Sequence, residues 1–297
     1  MAFTDFAEYL LTPTPAVIFG GIFIVLLVPV LLHFLLTANV SSLTNLPTIL
    51  LVGPSGAGKT ALATRMERGP DAQPTETHTT TNNHSIEIET PVPSSSSESP
   101  SSSGPSAGEH VKFLLTDTPG HGKLRARVFN RLDAMGENDK GRVRAVVFLC
   151  DAAALSDPDS LRHAAAYLHD LLLVLQRRAS ARIRAGAPLA KCGNPVLVAA
   201  NKLDLFTALP GTAVKSNLEA EVTRIRASRS KRLLDSGVGA DEVGSEAQDD
   251  WLGEYASQKF TFEQMGEFGI DIDVIGGNVT GEGPGIEKWW QWMAYRL

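Results

Sequence analysis

The sequence predicts an α/β domain built on a mixed, mostly parallel six-stranded sheet with helices on both faces, preceded by one N-terminal membrane-crossing helix. Three observations predict it. A glycine-rich G-x-x-x-x-G-K-[ST] loop sits between an apolar run and a helical pattern. Two short polar motifs follow in order, each at the end of a further apolar run. A long apolar stretch near the N-terminus carries no charged residue.

The organising stretch is Gly53-Pro54-Ser55-Gly56-Ala57-Gly58-Lys59-Thr60, preceded by Thr48-Ile49-Leu50-Leu51-Val52 and followed by Ala61-Leu62-Ala63. Strand, loop and helix in that order make a P-loop. Its glycines let successive backbone N–H groups point into one concavity, to which the helix starting near Lys59 adds a positive dipole end. Lys59 can reach the outer phosphates of a nucleotide, and Thr60 offers a hydroxyl to Mg²⁺. A plain glycine-rich turn is the alternative, and the flanking strand and helix argue against it.

Ala16 to Leu36 reads AVIFGGIFIVLLVPVLLHFLL, long enough to cross a bilayer as a helix. No Lys or Arg precedes it, and Asp5 and Glu8 are acidic, which favours an uncleaved anchor over a signal peptide. Pro29 can kink the helix, and His33 lies near its end. Residues 37–58 also lack Lys and Arg, so flanking charge does not orient the helix. A P-loop needs the cytosolic nucleotide pool, which places residues 1–15 outside the cytosol, 16–36 in the membrane, 37–46 as linker and 47–297 as the cytosolic domain. A net charge of −6 gives no basic field, so direct nucleic-acid binding is not expected. Cys150 and Cys192 lie beside apolar runs and read as inert core residues.

Beyond the P-loop, a short helix to Arg68 should stop at Gly69-Pro70. In the polar stretch Pro74 to Thr81, Thr75 or Thr77 is placed to approach Mg²⁺, against the alternative of a solvated Thr-rich loop. Ser85–Glu89 alternates as a half-buried strand, with Val111–Leu115 as its neighbour. Between them, the Ser/Pro-rich insert at about 91–108 has no apolar surface to offset its ordering entropy, and a disordered loop is expected. The second strand delivers Asp117-Thr118-Pro119-Gly120-His121, a D-x-x-G form in which Asp117 can hold Mg²⁺ through water and the Gly120 N–H can meet a γ-phosphate. His121 has two readings: it orients an attacking water, or it is an exposed residue that contacts a partner.

Val143–Cys150 is a buried strand, and Ser160–Arg178 carries leucines at helical spacing. Pro195–Ala200 is the next strand and ends in Asn201-Lys202-Leu203-Asp204. In this N-K-x-D, Asp204 can accept from guanine N1–H and N2–H₂, a pattern adenine does not offer. Lys202 can lay its stem over the base, and Asn201 can tie this loop to the P-loop. Ligands in open α/β sheets bind at such strand ends, so GTP is implied over ATP. A helix around Lys215–Leu234, an acidic Gly-rich loop at about 235–250, a Lys259–Phe262 run, a strand at Ile270–Ile275 and a helix over Gly285–Leu297 complete the chain. Gly277 and Asn278 lie where a last loop would cover the base, or form a plain strand-to-helix turn. Trp289, Trp290 and Trp292 read as packing residues of the final helix.

With these motifs in order, the chain resembles the Ras-like and Arf-like P-loop GTPases. It is more closely similar to the family of signal recognition particle receptor beta subunits, over about residues 16–297. The closer match rests on the anchor, Pro119-Gly120-His121-Gly122-Lys123-Leu124-Arg125, Phe260-Thr261-Phe262-Glu263, Gly269–Asp273 and Ile286-Glu287-Lys288-Trp289. The resemblance implies an endoplasmic reticulum membrane protein that binds GTP/GDP with Mg²⁺ and hydrolyses GTP slowly. Loaded with GTP, it would bind the N-terminal domain of the receptor's alpha subunit and act near ribosome or translocon. Other readings stay open: an Arf-like GTPase of vesicle traffic, or a GTP-bound structural anchor that never turns over. A soluble translation factor shares D-T-P-G-H but not the anchor, and N-K-x-D argues against a nucleotide kinase.

Overall fold

The computed structural model describes residues 15–40, 46–69, 77, 82–91, 110–134, 143–235, 251–253 and 259–297. The chain divides into two units, Met1–Leu46 and Pro47–Leu297.

The first unit holds α1, Pro15–Val40, a helix with Pro29 inside it. Its described apolar side chains, among them Phe23, Val25, Leu26 and Val30, are exposed. Among the described residues, no helix is long and apolar enough to cross a membrane, so the crossing predicted over 16–36 is not established by the structure.

The second unit is a six-stranded sheet in the order β2-β3-β1-β4-β5-β6. Its strands are β1 (Thr48–Val52), β2 (His84–Pro91), β3 (His110–Asp117), β4 (Val143–Asp151), β5 (Val196–Asn201) and β6 (Ile272–Gly276). Five of them run parallel, and β2 returns antiparallel beside β3 from His84↔Asp117 to Pro91↔His110. The central strands are buried on both faces, which is why β1 and β5 read as unbroken apolar runs. The helices are α2 (Lys59–Arg68), α3 (Arg125–Ala134), α4 (Pro158–Arg184), α5 (Leu189–Cys192), α6 (Gly211–Asp235) and α7 (Glu287–Tyr295).

Strand alternation divides the core in two. Leu50 and Val52 join Phe148, Val198 and residues of α3, α4 and α6, such as Val128, Tyr167, Leu171 and Leu218. Ile49 and Leu51 face the other way, with Val147, Ala199, Leu62 and Met66 of α2, and Trp289 and Met293 of α7. Trp289 is fully buried and its indole N–H donates to the Ile275 carbonyl at 2.9 Å. Cys150 and Cys192 are free and buried, and burial, with the charge of Asp151 adding to it, pushes the Cys150 thiol up to about 12.

Several boundaries differ from the sequence reading. Helix α4 starts earlier than Ser160, because Asp157 accepts the Ser160 N–H at 2.9 Å and Pro158 occupies the first turn, where its missing N–H is harmless. It also runs past Arg178 to Arg184. Helix α3 has no counterpart in the sequence reading: Val128, Phe129 and Leu132 are too few for a periodic signal. The Phe260–Phe262 run is held to α6 by bonds from Phe260 N to Thr223 Oγ1 (3.0 Å) and Phe262 N to Glu219 Oε1 (2.9 Å), and leads into a 3₁₀ turn, Phe262–Phe268. The Ser/Pro-rich insert, Thr75 and most of the acidic loop lie outside the described residues.

Candidate nucleotide-binding site

The five parallel strands end at one edge of the sheet, and the P-loop, the D-x-x-G segment, the N-K-x-D segment and the loop after β6 begin there. After Val52 the chain turns through Gly53–Gly58 into α2. Lys59 is 6% exposed, and its ammonium donates to the carbonyls of Gly53 (2.9 Å) and Pro54 (2.8 Å), closing the loop on itself. Burial lowers its pKa to about 8; the nearby Asp117 carboxylate works against this shift and the Arg125 guanidinium reinforces it. An anion placed in the loop would favour the charged ammonium.

Asp117 ends β3, buried and in register with Leu51. The Thr60 hydroxyl donates to its Oδ2 at 2.7 Å, and Thr118 Oγ1 donates to the Leu51 carbonyl at 2.6 Å. The D-x-x-G segment is therefore tied to β1 as well as β3. Gly120 lies against the phosphate loop, where a Cβ would collide with the Lys59 ammonium and, at 2.7 Å, the Ser55 nitrogen. Only glycine permits that approach. His121 is exposed, and its Nδ1 accepts the Lys123 N–H at 3.3 Å. Thr77, which is exposed, is the one candidate switch threonine among the described residues.

The second half of the site is built on β5. Asn201 is 3% exposed. Its Nδ2 donates to the Ala57 carbonyl at 2.8 Å, and its Oδ1 accepts the Val279 N–H at 3.1 Å. One side chain thus joins the phosphate loop, the N-K-x-D loop and the loop after β6. Lys202 takes a left-handed φ of 68° and its Nζ lies 2.5 Å from Asp151 Oδ2. Asp204 is exposed beside Gly281, where a Cβ would come within 2.8 Å of its Oδ2.

The loop after β6 is closed largely by its own bonds. Gly277 bonds only within the scaffold, donating to Ala200 O at 2.9 Å and accepting from Leu203 N at 3.2 Å. Asn278 is 1% exposed, and its side chain closes its own loop: Nδ2 donates to the carbonyls of Thr280 (2.9 Å) and Gly281 (3.0 Å), and Oδ1 accepts the Gly285 N–H at 2.8 Å. The backbone of Val279 to Gly281, and no side chain of Gly277 or Asn278, adjoins Asn201 and Asp204. Arg65 of α2 donates to the Val279 carbonyl, linking this loop to the P-loop helix. Arg65 and Asp151 escaped the sequence reading because their roles rest on long-range pairings that no local motif spells.

The donor set suits Mg²⁺ held together with phosphate. Among the described residues no group of three His, Cys, Asp or Glu could hold a metal. The Thr60 hydroxyl and Asp117 carboxylate instead offer the few oxygen ligands with which such ions are bound beside phosphates and waters.

Fold and site together define a P-loop domain of the GTPase type. The family model of the signal recognition particle receptor beta subunit matches residues 44–267. The chain belongs to that family. It is 28% identical over 189 residues to the signal recognition particle receptor subunit beta of Saccharomyces cerevisiae, spanning 63% of this chain and 61% of the yeast protein. Among solved structures it is similar to the SRb-GTP/SRX complex of the signal recognition particle receptor from Chaetomium thermophilum, at 38% identity and a TM-score of 0.65, covering 84% of this chain and 100% of that one. The SRb-GDP-Mg structure from the same organism gives 38% identity and 0.59, covering 86% and 99%. The mammalian receptor structure, at 23% identity and 0.56 over 84% and 100%, shares the fold.

Asn201→Ala should destabilise the nucleotide-free protein by about 2–3 kcal/mol, since it strands a buried carbonyl and a buried N–H at once. Urea denaturation in mild detergent measures this. A loss under about 0.5 kcal/mol would mean that the three loops hold together without it.

Proposed function

We propose that the chain is a membrane-anchored guanine-nucleotide switch of the endoplasmic reticulum that, when GTP-loaded, binds the N-terminal domain of the receptor's alpha subunit. The observation that carries the reading is Asn201 bridging the phosphate loop to the loop beside Asp204, which sets a phosphate cradle and a purine-reading carboxylate in one frame. The relatives support it: the Chaetomium structures are described as SRb with GTP and SRX, and as SRb with GDP and Mg.

Backbone N–H groups of Gly53 to Ala61 would hold the phosphates, with the Lys59 ammonium turned from its own loop carbonyls toward them. Thr60 and Asp117 would hold Mg²⁺, which neutralises phosphate charge when bound. Asp204 would accept from guanine, and the Val279–Gly281 backbone would lie along the base edge. Gly120, already against the phosphate loop, is placed to offer its N–H to a γ-phosphate. A group present in GTP and missing in GDP would thereby reset the D-x-x-G segment and the surface beyond it. Hydrolysis is slow on this reading. His121 either orients water or contacts the partner, and its exposed ring and bond to Lys123 favour the second role.

The exposed apolar side chains described in α1, Phe23 to Leu32 among them, support the anchor, since a lipid bilayer is the surroundings that such a run suits. Removing residues 1–37 should yield a fragment that stays soluble without detergent and still binds nucleotide; a fragment that still needs detergent would contradict the anchor. For the switch, a pull-down should recover the alpha-subunit N-terminal domain on GTP-loaded chain and lose it on GDP-loaded chain. Recovery that is indifferent to the nucleotide would reduce GTP to a structural cofactor.

A further inference from the structure

Lys202 is the one non-glycine residue with positive φ among the described residues, at 68°. An L-residue with a β-carbon is strained in that conformation, so other contacts must hold it there. The Lys202 backbone is held by the Leu205 N–H donating to Lys202 O at 3.1 Å and the Leu203 N–H donating to Gly277 O at 3.2 Å. The lysine side chain meets Asp151, the last residue of β4, which stands opposite Asn201 in the β4–β5 register. Its Oδ2 lies 2.5 Å from Lys202 Nζ. Its other oxygen, Oδ1, accepts the N–H groups of Ala153 (3.0 Å) and Ala154 (3.1 Å). The following turn is fixed in its own right, because Ala152 N donates to Asn201 O at 2.9 Å and Ala152 O accepts from Leu209 N at 3.1 Å. The carboxylate is therefore anchored to its strand end and cannot follow the lysine; the lysine is the partner that yields. The pair is partly covered, with side-chain exposures of 35% for Lys202 and 21% for Asp151, so water screens it less than an open surface pair.

We infer that Asp151 is a positioning residue of the nucleotide site: it holds the Lys202 stem extended before ligand arrives, so that the purine meets a flat hydrocarbon wall already in place. This rests on the guanine-nucleotide reading and deepens it. A free lysine would have to be ordered during binding, and immobilising a side chain of that length weakens affinity by about two- to tenfold. Asp151 removes that cost in advance.

The test is a double-mutant cycle on the full chain in detergent, with fluorescent GDP as probe and dissociation rate as readout. Asp151→Asn keeps an oxygen for the Ala153 and Ala154 N–H groups while removing the charge that holds the lysine. Lys202→Met keeps the stem and removes the ammonium. The expected result is that Asp151→Asn speeds GDP release about three- to tenfold in the wild-type background and changes it by less than about twofold in the Lys202→Met background. Equal acceleration in both backgrounds would show that Asp151 acts through its turn alone, and no acceleration in either would show that the pair does not position the base wall; both overturn the inference. A wild-type chain that binds no GDP would instead overturn the nucleotide reading itself, and this inference with it.

Discussion

The bond from the Asn201 amide to the Ala57 carbonyl is the interaction on which the rest of the site depends. Without it, the glycine-rich turn after β1 and the N-K-x-D turn after β5 would be two separate loops on strands with β4 between them. The same side chain accepts from Val279, so three segments distant in sequence share one buried amide. An amide suits that position because it carries a donor and an acceptor on one planar group. Its burial makes the arrangement demanding, since each lost bond leaves a polar group facing a dry interior.

Around that node the site divides into a rigid part and a part able to change. Lys59, Thr60, Asp117 and Thr118 are buried or half-buried and bonded to backbone or to one another. They rest on strands whose side chains fill both cores. From His121 onward the chain turns outward into a short 3₁₀ turn and α3, with its side chains more exposed. On the proposed function, this asymmetry would let one end stay fixed beside the P-loop while the other takes a second arrangement.

The sheet and the phosphate side of the site were legible in the chain because their signals are local. Apolar runs of five or six residues ending in Gly53, Asp117 and Asn201 place each motif at a strand end, and strand ends of a parallel sheet gather at one edge. What was not legible depends on tertiary contact. The loop after β6 does not spell a familiar motif, and Asn278 turned out to serve the loop's own backbone. Asp151 reads as a simple strand terminus until β5 lies beside β4 and brings Lys202 within 2.5 Å. Helix α3 has three apolar positions, and its packing against Tyr167 and the sheet, more than its periodicity, makes it a helix. The end of α4 at Arg184 is set by the left-handed Gly186 turn, whose N–H donates to Ile183 O at 3.0 Å.

On the proposed function, this edge of the sheet selects guanine nucleotides through Asp204 in a frame set by Asn201. Competition of GTP, ATP and XTP against fluorescent GDP on the purified full chain with Mg²⁺ tests it most directly. GTP should displace the probe and ATP should bind at least about a hundredfold more weakly, because adenine leaves the Asp204 carboxylate without its two donors. Equal displacement by ATP and GTP would contradict it.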